Sequence, residues 1–321
     1  MPEVVDTQRC RRSCLAVPGS EPRMIDKARG LEVDQFFLDL EDAVAPLAKA
    51  QARRTVVAAL NEGGWGDRVR TVRVNALDTA WTYRDVVDVV EGAGQCLDTV
   101  MLPKVSGPDQ VRWLDLTLGQ LERALGLAES SIGIEVQIED AKGLADVDAI
   151  AASSARLEAL IFGPADFMAS INMPSLVVGE QPPGYDVGDA YHYVLMRMLT
   201  AARAHGLQAV DGPYLQIGDT EGLRRVARRS AALGLDGKWV LHPSQVDTVN
   251  EVFSPSQRDY DRAENILDAY AWYTSEEGGR RGAAMLGDEM IDEASRKMAL
   301  VVAAKGRAAG LSRTERWQPP R

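Results

Sequence analysis

The chain has 321 residues, of which 45% are hydrophobic and 26% charged, and its formal net charge is −11. These values are ordinary for a globular protein, and the length allows one large core with an appendage or two domains. The excess of acids argues against general nucleic-acid binding, which needs a basic surface, and no apolar run approaches the roughly 20 residues that cross a bilayer. An anionic small-molecule ligand remains compatible, because a local group of Lys and Arg can outweigh the overall charge.

Cysteine is scarce, with only Cys10, Cys14 and Cys96 in the chain. A sparse, odd set is typical of a reducing compartment rather than of a disulfide framework. No apolar signal-peptide core follows the first two cysteines, so we expect no export and predict a cytoplasmic protein. Cys10 and Cys14 lack a second pair at metal-site spacing, which favours stray cysteines over a metal site.

In chain order, short β-favouring runs alternate with amphipathic helices from residue 13 to about residue 275. The predicted strands are 13–17, 34–41, 70–75, 99–105, 132–139, 157–166, 207–213 and 237–242. Eight such repeats predict a (β/α)8 TIM barrel. The competing fold is a doubly wound open sheet, whose dinucleotide-binding form has no support because no Gly-x-Gly-x-x-Gly follows a strand. Residues 170–187, rich in Pro and Gly, predict a long functional or mobile loop.

The tail differs from the repeats, so we predict a barrel domain over residues 1–275 and a C-terminal lid over residues 276–321. Residues 276–282 form a charged, Gly-rich joint, and residues 283–291 indicate a hairpin that turns at Gly287 and Asp288. Asp292 is a favourable N-cap for a helix that reaches about Arg307. The tail is too small to fold alone, so it must pack on its own barrel or on a neighbouring subunit.

Two predicted strands near the middle of the chain end in carboxylates, Glu139 and Asp166. Strand, helix and parallel strand make one right-handed crossover unit, and parallel α/β folds carry their chemistry where strands end. Both carboxylates would therefore project into one pocket. Without a His or Cys partner, the pair suits a hard divalent cation such as Mg²⁺. The alternative is that both are ordinary loop acids.

Polar residues also end other predicted strands, and each alone is explained equally well as a loop residue or a helix cap. Their shared barrel face favours a site for a small α-oxo or hydroxy acid, in which Arg73 would form a charge-assisted fork with the anion. Arg23 and Lys27, one helical turn apart, either belong to a solvated helix face or anchor a phosphate-bearing ligand. The strand-end residues are Asp39, Glu41, Asp42, Arg73, Asn75, Lys104, Asp211 and His242.

A series of motifs spread over nearly the whole chain resembles the malyl-CoA lyase branch of the citrate lyase β-subunit-like (HpcH/HpaI aldolase) superfamily. The matching stretches keep the family order and include the tail. They are residues 15–28, 37–46, 72–75, 102–105, 162–166, 210–213, 237–246 and 290–292.

The resemblance implies a Mg²⁺-dependent (β/α)8 lyase that acts on a CoA thioester, with Mn²⁺ as an alternative metal. Glu139 and Asp166 match the metal ligands, Arg73 faces glyoxylate and the thioester oxygen, and Asp292 is an acid that the lid delivers to an adjacent subunit of a trimer or hexamer. The family usually has Thr where this chain has Asp140, so a third carboxylate near the metal is expected. The remaining matches are Glu41 beside the metal ligands, Arg23 and Lys27 near the CoA phosphates, and Lys104 and His242 in the substrate-binding set.

We therefore predict reversible Claisen cleavage of L-malyl-CoA or β-methylmalyl-CoA to glyoxylate and acetyl-CoA or propionyl-CoA, with Asp292 as the acid–base group. No nucleic-acid or membrane partner is expected. One alternative is a citramalyl-CoA lyase that releases pyruvate and acetyl-CoA. Others are a hydrolase with malate synthase or malyl-CoA thioesterase activity, and a non-catalytic CoA-binding protein on an inherited barrel.

Overall fold

Eight parallel strands close into a barrel in this computed structural model, which describes residues 9–178 and 181–320. Each strand pairs with its neighbours in sequence, and β8 closes the ring on β1. The predicted (β/α)8 barrel is therefore confirmed over the open sheet. The strands are β1 Ser13–Pro18, β2 Gln35–Asp39, β3 Val69–Arg73, β4 Thr99–Leu102, β5 Gly133–Ile138, β6 Leu157–Phe162, β7 Gln208–Asp211 and β8 Gly237–Val240.

Helices follow the strands and surround the barrel, and α1, α4 and α7 begin with Pro, whose fixed φ suits a first helical turn. The helices of this part are α1 Pro22–Ala28, α2 Lys49–Glu62, α3 Thr82–Ala93, α4 Pro108–Leu125, α5 Ala141–Ala145, α6 Val147–Ala151, α7 Pro164–Ser170, α8 His192–Ala204, α9 Thr220–Leu233 and α10 Val246–Phe253. None of the described helices combines the length and the apolar character that a membrane crossing requires.

One strand boundary was predicted wrongly in a way that matters for the site. The sixth strand was expected to run to Asp166, but β6 ends at Phe162 and Pro164 starts α7. Asp166 therefore lies in the first turn of a helix and not at a strand tip. The predicted loop between α7 and α8 lacks regular secondary structure in its described part, and Gly179 of that loop lies outside the described residues.

The buried residues form two layers in the barrel unit. A large apolar layer lies between strands and helices, and a small inner cluster fills the barrel itself. Within that cluster, Phe37 and Trp239 meet edge to face with ring centroids 4.7 Å apart. The barrel is therefore packed through its middle, which leaves its two ends for polar groups. The inner cluster contains Cys14, Phe37, Met101, Ile161, Val210 and Trp239.

The chain divides into two compact units, Met1–Phe253 and Ser254–Arg321. The second unit contains α11 Gln257–Thr274, β9 Ala283–Leu286, β10 Glu289–Asp292 and α12 Glu293–Ala308. It includes α11, which we had assigned to the barrel domain, because α11 shares a small alanine-rich core with α12. The predicted hairpin and the helix that Asp292 starts are confirmed. The lid and hinge roles of residues 276–321 stay predictions.

Candidate active site

Glu139 lies at the centre of a buried acidic cluster at the carboxyl end of the barrel. It follows β5 directly, is only 3% exposed, and accepts a hydrogen bond from the backbone N–H of Lys104 at 2.6 Å. The backbone at Gly163 packs closely against this carboxylate, since a Cβ on Gly163 would lie 2.3 Å from Glu139 Oε2. Glycine at position 163 therefore permits the approach of the loop after β6 to this carboxylate.

Burial, together with the negative charges of Glu41 and Asp166, raises the pKa of Glu139 to about 8. The same electrostatic coupling shows that three predicted site acids lie close together. Asp166 is half-buried in the first turn of α7, and Glu41 is buried just beyond β2. Like charges gathered in a poorly solvated place are unfavourable unless a cation or a proton neutralises them.

Arg73 ends β3 beside these acids and is 5% exposed. Its Nε and Nη2 each donate to one carboxylate oxygen of Asp39 at 2.7 Å, while Nη1 lies 3.1 Å from Glu41 Oε2. The guanidinium also lies 4.9 Å from the ring centroid of Trp239. Asp39 therefore occupies the two-pronged face that we had assigned to the substrate anion, and Nη1 also donates to Gln137 Oε1 at 3.4 Å.

The surroundings stabilise the negative charge of Asp39 but not that of Glu41. Burial by itself raises the pKa of Asp39, but the Arg73 guanidinium and the backbone N–H groups of Glu41 and Ala43 hold it below its usual value. Burial raises the pKa of Glu41, although Arg73 and Lys104 oppose that rise. Asp39 thus serves as the fixed counter-ion of Arg73, whereas Glu41 lies between Arg73 and Lys104.

Lys104 joins two members of the cluster in an unusual conformation. Its φ of 52° lies in the left-handed region, which is uncommon for residues other than glycine. The ammonium Nζ lies 2.9 Å from Glu41 Oε1, while the backbone N–H binds Glu139. Although burial lowers the pKa of Lys104, the contact with Glu41 and the charges of Asp42 and Asp166 raise it overall. Lys104 therefore stays cationic in the site.

Sequence reasoning missed several residues that build this cluster. Lys49 donates to the backbone carbonyls of Leu40 and Glu41 at 2.7 and 2.6 Å and so fixes the end of β2. Gln137 is fully buried with no hydrogen-bond partner for Nε2. A usable signal was present, because polar Glu135, Gln137 and Glu139 alternate along β5, and alternate residues of a strand share one face.

The other predicted ligand-binding residues lie near strand ends but outside this network. Arg23 and Lys27 are exposed on α1, which follows β1. His242 is exposed, and its Nδ1 lies 2.9 Å from the hydroxyl of Ser244, where it caps a short 3₁₀ turn. The ligand-binding roles of Arg23, Lys27 and His242 stay predictions.

Two acids expected at the site have other partners. Asp211 accepts hydrogen bonds from Lys238 Nζ at 2.7 Å and from the hydroxyl of Ser230 on α9 at 2.6 Å, so it faces the helix layer. Asp140 accepts from the Ser106 hydroxyl at 2.6 Å through one oxygen and caps α5 through the other. The expectation of a third carboxylate near the metal, at position 140, stays a prediction.

Asp292 belongs to the second unit, where it is the N-cap of α12. Its Oδ1 accepts from the backbone N–H of Ser295 at 3.0 Å, and the Ser295 hydroxyl completes a capping box. That backbone hydrogen bond lowers the pKa of Asp292, so the carboxylate is ionised at neutral pH. An ionised carboxylate at this half-buried helix start is available as a proton acceptor.

The cluster fits a divalent cation. Four carboxylates, those of Asp39, Glu41, Glu139 and Asp166, meet only two cationic side chains, and the raised pKa of Glu139 marks a carboxylate without a cationic partner. Over the described part of the chain, no group of three or more His, Cys, Asp or Glu side chains is arranged to hold a metal. Two protein carboxylates are enough to hold Mg²⁺ where they are close together, because it retains several waters.

Known proteins with similar sequences include lyases and a thioesterase that act on CoA thioesters. The chain is 41% identical over 302 residues to the L-malyl-CoA/β-methylmalyl-CoA lyase of Cereibacter sphaeroides, which covers 92% of this chain and 94% of the relative. It is also 34% identical over 278 residues to the (3S)-malyl-CoA thioesterase of the same species, covering 84% of this chain and 85% of that relative.

A solved structure supports the same assignment. The protein CitE from Mycobacterium tuberculosis, in complex with magnesium, acetoacetate and coenzyme A, aligns with a TM-score of 0.70 and 26% identity over 94% of this chain and all of that one. The family model for HpcH/HpaI aldolase/citrate lyase matches residues 12–243, from the start of the barrel to just past β8. With the barrel, the acidic cluster and the lyase relative all in agreement, the chain belongs to the HpcH/HpaI aldolase/citrate lyase family.

Proposed function

We propose that this protein is a Mg²⁺-dependent lyase that reversibly cleaves L-malyl-CoA or β-methylmalyl-CoA to glyoxylate and acetyl-CoA or propionyl-CoA. The observation that carries the proposal is the buried cluster of Glu139, Asp166 and Glu41 beside Arg73. The identity of 41% to a lyase of these substrates supports the choice of reaction. The cytoplasm is the proposed compartment, in keeping with three free cysteines.

Glu139 and Asp166 would hold the metal, which supplies Lewis-acid polarisation of the 2-oxo acid carbonyl. Arg73, fixed by Asp39, directs Nη1 toward the place where negative charge develops on a substrate oxygen. Because Asp39 already orients the guanidinium, little reorganisation is needed during the reaction. Lys104 and Glu41 fix each other at the rim, and exposed Arg23 and Lys27 are the proposed partners of the CoA phosphates.

We assign the acid–base step to Asp292. In the synthetic direction its ionised carboxylate would take the α-proton of the acyl-CoA, and in cleavage it would return that proton. The capping hydrogen bonds hold the carboxylate in one orientation without burying it. Closure over a substrate would remove water from it and raise its basicity.

We further propose that Asp292 acts on a neighbouring subunit of a homotrimer or hexamer. The hairpin and α12 expose a group of large apolar side chains, each more than half exposed, which a second copy of the chain would cover. In closed symmetry, each subunit gives one such lid and receives one. The exposed side chains are Met285, Met290, Met298 and Val301.

A direct assay tests the reaction. Purified protein with Mg²⁺ is incubated with glyoxylate or pyruvate and with acetyl-CoA or propionyl-CoA, and the condensed products are identified by mass. We expect condensation with glyoxylate. Product from pyruvate alone would favour the citramalyl-CoA lyase, and no condensation with any pair would overturn the lyase assignment.

Removal of a metal ligand tests the metal site separately. Asp166→Asn keeps the size of the side chain but removes its charge, so we expect a folded protein whose Mg²⁺-dependent activity falls by roughly 100-fold. Full wild-type activity in excess chelator would show that no metal is needed.

Subunit mixing tests the lid. Asp292→Ala and Arg73→Ala are each expected to be nearly inactive oligomers. After subunit exchange, some interfaces would join an intact barrel site to an intact lid, so part of the activity should return. No recovery despite demonstrated exchange would argue against action in trans, and an active Asp292→Ala protein would remove the catalytic role.

Thioester hydrolysis is the second candidate, because a malyl-CoA thioesterase is 34% identical. Release of free CoA during the assay distinguishes the two reactions. A lyase conserves the thioester in acetyl-CoA or propionyl-CoA, whereas a thioesterase produces one free thiol for each substrate consumed. Stoichiometric thiol release from malyl-CoA would replace the lyase with the hydrolase.

A further inference from the structure

The turn that follows β4 holds an energetically unfavourable backbone conformation at the edge of the candidate site. Lys104 has a φ of 52°, although lysine has no side-chain hydrogen bond that favours the left-handed region. Such a conformation persists only where surrounding contacts impose it. Its position is functionally sensitive, because the same residue contacts Glu139 through its backbone and Glu41 through its ammonium.

The contacts that impose it come from the next loop along the barrel. The Ser106 hydroxyl donates to Asp140 Oδ2 at 2.6 Å, which ties the β4–α4 turn to the start of α5. Gly143 in the first turn of α5 lies against the same turn, since a Cβ there would be 2.2 Å from the carbonyl oxygen of Val105. Asp140 is itself held in place, because its other oxygen accepts the backbone N–H of Gly143.

We infer that Ser106 and Asp140 are positioning residues: their hydrogen bond clamps the β4–α4 turn so that Lys104 presents its N–H to Glu139 and its ammonium to Glu41. Neither side chain contacts the acidic cluster directly. The clamp acts through Lys104, and its loss would let φ relax and withdraw both contacts together. The inference rests on the proposed metal site at Glu139 and Asp166.

Direct metal binding is the appropriate readout, because it needs no substrate and no turnover. Mn²⁺ binding to the full-length protein is measured by electron paramagnetic resonance for the wild type and Ser106→Ala. Loss of a hydrogen bond to a charged group, passed on through Lys104, should weaken Mn²⁺ binding roughly tenfold. Ser106→Thr keeps the hydroxyl and should restore wild-type affinity.

Ser154→Ala is the matched control. Ser154 also donates to a carboxylate, that of Asp115, at 2.8 Å, but it lies before β6 at the opposite end of the barrel. The Ser154→Ala protein should bind Mn²⁺ as the wild type does. If Ser106→Ala does not fold, Asp140→Asn serves instead, because the amide keeps an oxygen to cap α5 while removing the charge that strengthens the Ser106 contact.

The outcomes separate the clamp from the metal site. Wild-type affinity in Ser106→Ala, or equal weakening in Ser106→Ala and Ser154→Ala, overturns the clamp and leaves the metal site intact. Failure of the wild type itself to bind Mn²⁺ overturns the metal site, and the clamp inference with it. Weakening in Ser106→Ala, with recovery in Ser106→Thr and none in the control, supports the inference.

Discussion

The two ends of the barrel each bury a glutamate, Glu135 and Glu139, but only Glu135 is surrounded by enough hydrogen-bond donors. At the amino end, Glu135 accepts hydrogen bonds from Arg11 at 2.9 and 3.0 Å, from Gln35 at 2.8 Å and from Thr99 at 3.1 Å. At the carboxyl end, four residues further along the chain and just after the same strand, Glu139 has one backbone donor and two carboxylate neighbours. The carboxylate of Glu135 has its hydrogen-bond donors within the protein, whereas the carboxylate of Glu139 needs a cation to balance its charge.

This difference separates a structural charge from a functional one. A buried carboxylate with enough donors stabilises the fold and needs no ligand, whereas one that lacks them costs stability until something binds. Near Glu139, the Nε2 of Gln137 is also buried without a hydrogen-bond partner. The shortage of hydrogen-bond donors around Glu139 therefore distinguishes the candidate site from the amino end of the barrel.

The largest expected effect is on stability at the amino end. Glu135→Gln removes the negative charge that faces fully buried Arg11, so we expect the free energy of unfolding to fall by about 3 kcal/mol. Urea denaturation in the presence of chelator measures it. The surface pair of Arg197 and Asp148, also bidentate, is the control, and Asp148→Asn should cost less than about 1 kcal/mol. Equal losses would remove the distinction between buried and exposed pairs.

The next effect is on activity at the carboxyl end. Arg73→Lys keeps the charge but cannot bind both oxygens of Asp39 while leaving a third nitrogen for substrate, so turnover should fall roughly 100-fold, or about 2.7 kcal/mol in the barrier. Arg70→Lys on the same strand is the control, since Arg70 forms a similar bidentate pair with Asp98 outside the site. An Arg73→Lys enzyme with wild-type turnover would assign Arg73 to packing alone.

The third expected effect is a gain in stability at the carboxyl end, opposite in sign to the loss expected at the amino end. Because the folded pKa of Glu139 is raised to about 8, its stabilising contribution is present below the unfolded value near 4.5 and is lost as pH rises toward 8. In chelator, Glu139→Gln should therefore be more stable than the wild type at pH 8.5 by roughly 1–3 kcal/mol, with little difference near pH 5. Melting temperatures at the two pH values measure it, and a destabilised Glu139→Gln protein at pH 8.5 would contradict the comparison between the two ends.

The smallest expected effect on stability is at Lys104. Lys104→Gly relieves the left-handed strain but increases the freedom of the unfolded chain, so stability should change by less than about 1 kcal/mol. The backbone N–H to Glu139 remains, whereas the ammonium contact with Glu41 is lost. We therefore expect nearly unchanged Mn²⁺ affinity with reduced turnover. Equal losses of affinity and turnover would show that the two contacts of Lys104 cannot be separated.

Local sequence patterns were sufficient to predict the architecture. Eight alternations of strand and helix, with Pro at helix starts, predicted the barrel, because a parallel sheet needs helices over its strands and eight such repeats are typical of a closed barrel. Asp292 as the N-cap of the last helix also followed from local chemistry, since a short carboxylate side chain can reach the free N–H groups of its own first turn. Both are properties of neighbouring residues along the chain.

Which acids belong to the site depends on contacts between residues that are distant in the sequence. Asp211 and Glu139 both lie where a strand ends, yet Asp211 faces α9 and Glu139 faces the cluster. Asp140 follows Glu139 in the sequence, yet its side-chain hydrogen-bond donor is Ser106, 34 positions away. Proximity alone does not fix these roles, because each carboxylate depends on which donors the closed barrel brings to it.

The sequence by itself determined that this protein is a (β/α)8 barrel of a CoA-ester lyase family with acids gathered at strand ends. The tertiary structure alone decided which of those acids are neutralised, because strand register and barrel closure place Arg73 against Asp39 and Lys104 against Glu41. The same geometry leaves Glu139 with too few hydrogen-bond donors. Its raised pKa arises from desolvation and neighbouring charge, which exist only in the folded chain.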